Sequence, residues 1–132
     1  MKVVVSGSRG INNYDYVRNA FIFSGIWKRF KSNLTILHGA CKNSPDIQAG
    51  KFAKNNALKC EEYPADWDVH GKRAGMLRNI EMGKQADALV AIWDGISKGT
   101  KQMIDWCDNR GLYCYVLDIS TGEVIELNKE KL

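Results

Sequence analysis

Short apolar runs alternate with longer segments of helical spacing along this chain, a pattern typical of strands joined by helices. Five apolar runs of four to six residues lie at 3–6, 34–38, 59–63, 88–93 and 113–117, and each borders a Gly, Pro, Asn or Asp. Helical spacing covers 14–31, 45–56, 71–85 and 100–110, and a turn at 118–122 leads into a short strand at 123–127. The sequence therefore predicts an α/β fold with a doubly wound, mainly parallel sheet of about five strands, helices on both faces and a C-terminal antiparallel strand.

The composition predicts one globular domain over residues 1–132. Hydrophobic residues make up 45% and charged residues 26% of the chain, which excludes a disordered or collagen-like protein. A chain of this length can bury a core without disulfide or metal crosslinks. The apolar runs are too short to cross a bilayer, and the N-terminus lacks the pattern of an export signal. We therefore expect a cytoplasmic protein that does not associate with a membrane.

The charge and the cysteines limit the classes of partner, metal and cofactor that we expect. The net charge is +4, and basic residues are interleaved with acidic ones, which argues against a nucleic-acid partner. The four cysteines form no CxxC pair, and only two histidines are present. Buried thiols in a reducing compartment are the favoured interpretation, and neither a metal nor a cofactor is expected.

In a doubly wound sheet, ligands bind beyond the carboxyl ends of the strands, so the loops at these ends are the candidate sites. After the first strand, Gly7 and Gly10 permit a tight turn, while Ser8 and Arg9 offer donors to a phosphate or carboxylate. An ordinary turn with a surface arginine would show the same motif, and on these residues alone it is the favoured interpretation.

The second strand ends at His38 and Gly39. A single histidine at a strand end is more often a hydrogen-bonded packing residue than a ligand contact. Asp46, in the first turn of the next helix, is suited either to a ribose hydroxyl or to the helix dipole.

The helix predicted at 71–85 places Gly71, Gly75, Arg78 and Met82 on one face. Small residues beside an arginine near a helix start suit an anion that approaches the backbone. An ion pair between Arg78 and Asp66, with the glycines allowing close helix packing, explains the same residues equally well.

The loop after the fourth strand combines glycines and hydroxyls at the start of a helix. Gly95, Ser97, Gly99 and Thr100 there suit a phosphate, although Ser97 or Thr100 could simply cap the helix. The ligand interpretation is favoured, because the loop after the first strand should lie beside this one. Of the four tryptophans, we expect Trp27 and Trp106 in the core and Trp67 and Trp93 near the loops.

Taken together, these motifs resemble the YspA-like branch of the SLOG superfamily over nearly the whole chain up to Leu117. The residues that carry the resemblance are Gly7-Ser8-Arg9, His38-Gly39, Pro64-Ala65-Asp66-Trp67, Gly71-Lys72, Ala74-Gly75, Arg78-Asn79, Met82, Asp94-Gly95, Ser97, Gly99-Thr100 and Met103-Ile104. The resemblance implies a Rossmann-like fold and a nucleotide or nucleotide-derived ligand, as in the related lonely-guy phosphoribohydrolases, the DNA-processing protein DprA and sensor domains of conflict systems. It implies a ligand-binding set of Gly7, Ser8, Arg9, His38, Gly39, Arg78, Asn79, Gly95, Ser97, Gly99 and Thr100.

Two departures from the family pattern bear on activity. The glycine-rich stretch after the second strand is replaced by 40–46, and Gly99-Thr100 is not followed by the glutamate of the hydrolase motif PGGxGTxxE. Asp94 and Asp105 are the remaining weak candidates for a catalytic carboxylate, and Arg78 is the candidate phosphate holder.

We therefore expect the protein to bind a nucleotide-like ligand for sensing or sequestration, and we favour a binding protein over an enzyme. The alternatives are N-glycosidic hydrolysis of nucleoside monophosphates, or a DprA-like module for single-stranded DNA or a protein partner. Homo-oligomers are also expected, because related proteins assemble and the segment around Phe21, Phe23, Ile26 and Phe30 is strongly apolar. A fully buried helix would explain the same residues.

Overall fold

The computed structural model describes residues 1–132 and contains one six-stranded sheet. Its strands are β1 (Lys2–Gly7), β2 (Thr35–His38), β3 (Lys59–Glu62), β4 (Ala88–Trp93), β5 (Tyr113–Asp118) and β6 (Glu123–Leu127). They lie in the order β3-β2-β1-β4-β5-β6, and only β6 is antiparallel to its neighbour. The predicted α/β, Rossmann-like sheet is confirmed. The order of connection reverses between β1 and β4, so a crevice is expected at their carboxyl ends.

The helices are α1 (Tyr14–Phe23), α2 (Ile26–Phe30), α3 (Pro45–Asn55), α4 (Trp67–His70), α5 (Ala74–Gln85) and α6 (Lys98–Asn109). The prediction of one helix over 14–31 was wrong. Gly25 has φ +83°, and the Ser24 hydroxyl accepts a hydrogen bond from the Ile26 N–H, so the chain turns between α1 and α2. Apolar spacing continues across this turn and does not reveal it.

The helix predicted at 71–85 also begins later than expected. Residues 71–73 form a single 3₁₀ turn, and Gly71 has φ +57°. Gly71 therefore precedes α5 and does not share a helical face with Gly75 and Arg78, as the sequence had indicated. Asp66 caps α4 by accepting a hydrogen bond from the Val69 N–H.

Two apolar clusters cover the two faces of the sheet. Val3 and Val5 of β1 pack with α1 and α3 on one face, where the rings of Phe21 and Phe52 stack at 4.7 Å. Val4 points to the other face, among side chains of α5 and α6. Because successive strand residues face opposite sides, the run of buried valines means that both faces are covered. The helices on both faces are thereby confirmed.

The cysteines and tryptophans differ in burial. Cys107 and Cys114 are buried, and burial raises the pKa of each thiol to about 12. The other two cysteines do not fit the expectation of buried thiols, since Cys60 is exposed on the edge strand β3 and Cys41 is half-buried. Trp27 and Trp106 pack half-buried against the two clusters.

None of the helices has both the length and the apolar character required to cross a membrane. The apolar segment around α1 and α2 is split by its turn. Phe21 and Ile26 lie in the core, whereas Phe23 at the end of α1 is 71% exposed.

Candidate functional site

A cavity of about 580 Å³ lies at the carboxyl ends of β1 and β4, where the order of connection reverses. Its walls come from the loop after β1, the starts of α3 and α6, and one face of α5. A cleft of this size and position is typical of a small-molecule site. The predicted site residues that line it are Gly7, Arg9, Arg78, Asn79, Ser97, Gly99 and Thr100.

Two of the remaining predicted residues support this cavity without lining it. The Ser8 hydroxyl is buried, accepts a hydrogen bond from the Asp94 N–H at 3.1 Å and lies 3.4 Å from the Thr100 hydroxyl. Gly95 has φ +83° and forms the turn after β4. The structure thus joins the loops after β1 and β4, as the order of the strands predicts.

His38 does not line the cavity. Its Nδ1 accepts a hydrogen bond from the Ala40 N–H at 3.0 Å, and its buried Nε2 has no hydrogen-bond partner. The ring packs against α3, where a Cβ at Gly50 would lie 3.2 Å from Nε2. Burial lowers the pKa of the imidazole, with Asp46 and Glu62 opposing the shift. The structure thus gives His38 a packing role.

Arg78 connects the ends of β2 and β3 to α5. Its guanidinium donates to the carbonyl oxygens of Gly39 at 2.7 Å and Tyr63 at 3.3 Å, and to the Asn79 side chain at 2.8 Å. The expected alternative, an ion pair with Asp66, is absent. Gly39 is required beneath the guanidinium, because a Cβ there would lie 2.3 Å from Nη1. Most of the donors of Arg78 are therefore occupied by the protein itself.

The first turn of α6 opens into the cavity with its backbone donors free. Ser97 occupies the N-cap position, but its side chain accepts no hydrogen bond from the helix backbone. The Lys101 N–H is bonded to the Ser97 carbonyl, whereas no side chain accepts from the N–H groups of Lys98, Gly99 or Thr100. A Cβ at Gly99 would meet only open space. The expected alternative, capping by the Ser97 or Thr100 side chain, is therefore not realised.

Positive side chains outnumber negative ones around the cavity. Arg9, Lys72 and Lys98 are exposed at its lining, and none forms an ion pair within the protein. With Arg78 they face two carboxylates, Asp46 and Asp94. This balance favours an anionic ligand.

The two predicted candidates for a catalytic carboxylate lie in different surroundings. Asp94 accepts hydrogen bonds from the N–H groups of Ile96 at 2.9 Å and Ser97 at 2.7 Å, and these bonds lower the pKa of its carboxyl. It lines the cavity as a carboxylate that organises a turn, which suits it poorly to proton donation. Asp105 lies outside the cavity, 2.6 Å from Lys101.

Asp46 is the most deeply buried charged group of the cavity, with 5% exposure. Its Oδ2 accepts a hydrogen bond from the Cys41 N–H at 3.2 Å, and no nitrogen or hydroxyl donor of the protein reaches Oδ1. Burial raises the pKa of the carboxyl above its ordinary value, while the Cys41 N–H and the Arg78 guanidinium oppose the increase.

We expect the stability of the protein to depend on pH through Asp46. Because the folded-state pKa is raised, folding favours the protonated carboxyl, and its contribution to stability is lost as pH rises from 3.8 through the folded-state pKa. The wild type should therefore lose stability relative to Asp46→Asn as pH rises across this window. Urea unfolding of both proteins between pH 4 and 7 checks this; a difference that is constant with pH would contradict it.

The sequence also left some lining residues unassigned. Ser6, Cys41, Met76 and Gln102 line the cavity, and the Asn79 amide donates to the Gln102 side chain at 3.0 Å. The one available signal was spacing, because Gln102 lies one helical turn after Lys98.

Two tryptophans lie near the strand ends, as expected. Trp67 is 51% exposed at the rim of the cavity, whereas the Trp93 indole donates to the Ser97 carbonyl and lies outside it. No three His, Cys, Asp or Glu side chains come together as metal ligands.

Comparison with known proteins supports a family assignment. A sequence model described as "YspA, cpYpsA-related SLOG family" matches residues 1–70. The "Gene 61 protein" of Mycobacterium phage D29 is 31% identical over 116 residues, which cover 84% of this chain and 91% of the phage protein. No solved structure matches at a significant level.

Proposed function

This chain belongs to the YspA, cpYpsA-related SLOG family, and on that premise we propose that it binds a nucleotide or nucleotide-derived small molecule in the cavity at the ends of β1 and β4. One observation carries the proposal above all. The first turn of α6 presents free N–H groups to the cavity and carries no acidic residue. Such a helix start stabilises a phosphate through its backbone donors and its dipole.

The side chains around this helix start support the same assignment. Arg9 and Lys98 are unpaired cations at the lining, and Gly99 leaves room for a phosphate to approach the backbone. Trp67 and Met76 at the rim offer apolar surface for a base or a sugar. Sensing or sequestration is the role we propose, because the carboxylates suited to hydrolysis are few.

The proposal is tested by isothermal titration calorimetry with pyrophosphate, AMP, ADP-ribose and cyclic nucleotides. We expect at least one phosphate-bearing compound to bind, more weakly as salt increases. No binding across the panel by a protein with an intact circular dichroism spectrum would overturn the proposal.

Two lysines on α6 allow the position of the bound anion to be tested. Lys98→Ala should weaken binding of the best phosphate ligand by roughly three- to tenfold, the effect of removing one partly solvated charge. Lys101→Ala should leave binding unchanged, because Lys101 lies outside the cavity and pairs with Asp105. Equal effects of the two substitutions in calorimetry would contradict a phosphate at the start of α6.

Hydrolysis of a nucleoside monophosphate is the second candidate, and Asp46 favours it. A buried carboxyl with a raised pKa, in the same cavity as four cations, has the properties of a general acid or base. Release of free base from AMP, followed by chromatography, is the expected result of this activity. A rate no higher than that of a protein-free blank would exclude it for that substrate.

We also propose self-association through the end of α1. Phe23 is 71% and Ile22 46% exposed there, and a second copy would cover both. Light scattering should give a mass above 14.9 kDa that falls to the monomer value in Phe23→Ser. A monomeric wild type would contradict the proposal.

A further inference from the structure

The cavity contains one deeply buried acceptor that the protein leaves incompletely bonded. Asp46 is 5% exposed, and its Oδ2 is bonded to the Cys41 N–H. No N–H or hydroxyl of the protein donates to Oδ1, and the only side chain that bonds the carboxyl is the Cys41 thiol, which is a weak donor. Because Asp46 lines the cavity, its free oxygen can accept a hydrogen bond from a donor that a ligand brings there.

The nearby arginine does not fill this role. Arg78 stabilises the charge of Asp46 at a distance, but its Nη1 and Nε donate to Gly39, Tyr63 and Asn79, and its Nη2 donates to the Cys41 Sγ at 3.7 Å. The donor that Oδ1 lacks must therefore come from solvent or from a ligand in the cavity.

The two helix starts in the cavity have opposite requirements. The first turn of α6 has free N–H groups and no acidic residue of its own, and the nearby Asp94 carboxylate is already bonded to the Ile96 and Ser97 N–H groups, so this turn can bind an anion. At the start of α3, Pro45 has no N–H, the Asp46 N–H donates to the Ser44 hydroxyl, and the Asp46 carboxylate is present, so this start repels an anion and favours a donor. Both line the same 580 Å³ cavity.

We infer that Asp46 is a specificity-determining residue, which selects ligands that carry a hydroxyl or amino donor in addition to their phosphate. This inference rests on the proposed function, because the phosphate is the group that anchors the ligand at α6. The ribose hydroxyls and the exocyclic amine of a nucleotide are the two sources of such a donor. A bare polyanion such as pyrophosphate lacks both.

The test compares AMP and pyrophosphate binding in the wild type and in Asp46→Asn. The asparagine oxygen can still accept from the Cys41 N–H, which turns its NH₂ group towards the cavity and places a donor against the ligand's donor. AMP should bind roughly ten- to a hundredfold more weakly, the range for a lost charged hydrogen bond. Pyrophosphate should bind as tightly or more tightly, because a repelling charge has been removed. A merely structural role for Asp46 would weaken both ligands together.

Two AMP analogues identify the source of the donor. If a ribose hydroxyl donates to Asp46, 2′,3′-dideoxy-AMP should bind the wild type and Asp46→Asn equally well. If the exocyclic amine of the base donates, IMP, which lacks this amine, should bind the two proteins equally well. This comparison is a double-mutant cycle with one change in the ligand. Asp46→Ala repeats the measurement if Asp46→Asn fails to fold, as judged by its urea midpoint.

The possible failures are distinguishable. If AMP binds the wild type and Asp46→Asn equally well, the selective role of Asp46 is wrong and the proposed function stands. If no compound binds the wild type, with ADP-ribose and the cyclic nucleotides tested beside AMP, its analogues and pyrophosphate, the proposed nucleotide-phosphate site itself is overturned, and the role of Asp46 with it.

Discussion

Replacing Arg78 by Ala should destabilise the protein by about 2–4 kcal/mol, because it leaves charged hydrogen bonds unmade and carbonyl groups without a donor. The guanidinium joins the carbonyl groups of Gly39 and Tyr63, which directly follow the neighbouring strands β2 and β3, to the Asn79 side chain on α5. Its loss also leaves the buried Asp46 carboxylate without the nearby cation that offsets the effect of burial. Arg78 is therefore expected to act first on the shape of the cavity and only second on a ligand.

The measurement is urea unfolding of the wild type, Arg78→Ala and Arg78→Lys. A lysine retains the charge but cannot reach two carbonyl groups and an amide at once, so we expect it to recover less than half of the lost stability. Lys72→Ala is the matched control, because Lys72 is an exposed cation of the same cavity without an ion pair. If Arg78→Ala were no less stable than Lys72→Ala, the connecting role of Arg78 would be refuted.

Substituting Gly7 by Ala should also lower the free energy of unfolding by about 2–4 kcal/mol, because the added methyl group enters a space that cannot accept it. A Cβ at this position would lie 2.2 Å from Cγ of Pro45 and 2.7 Å from the carbonyl oxygen of Ile92. The first atom belongs to the start of α3 and the second to the backbone of β4, so neither can move alone. The start of α3 would shift, and Asp46 would shift with it.

Gly99→Ala is the control for this substitution. Gly99 also lines the cavity, but a Cβ there meets only open space, and alanine favours helix over glycine. We expect Gly99→Ala to unfold at an unchanged or higher urea concentration and Gly7→Ala at a lower one. Similar midpoints for the two variants would show that the space around Gly7 can adapt.

Much of the architecture could be predicted from local patterns. The apolar run at 88–93 has the length of a strand and is too short for a typical helix. Because it has no polar residue, neither face of this strand is expected to contact solvent. Pro45 and Gly111 mark a helix start and a helix end, and the structure has both. These signals depend on residues that are neighbours in sequence, so they can be recognised without the fold.

The sequence left alternatives open, and at Gly25 predicted a wrong helix, where a contact between distant residues decides the conformation or the role. Arg78 has the same spacing whether it binds an anion, pairs with Asp66 or donates to backbone carbonyl groups, and only the approach of the β2 and β3 ends shows that it makes the carbonyl bonds. His38 follows a strand as a ligand contact would, but α3 covers its ring. The break at Gly25 has no counterpart in the apolar pattern, because Phe21 and Ile26 remain buried on either side of it.

The sequence by itself determined the fold class, the loops at the strand ends and seven of the residues that line the cavity, because periodicity and turn chemistry are local properties of a chain. Only the tertiary structure decided which of those residues line the cavity and which hold the loops together. Burial, hydrogen-bond partners and the balance of charge depend on groups far apart in sequence: Ser8 lies beside Thr100, and Arg78 beside Gly39. The incomplete bonding of Asp46, from which its selective role is inferred, is a property of that arrangement and of no single segment.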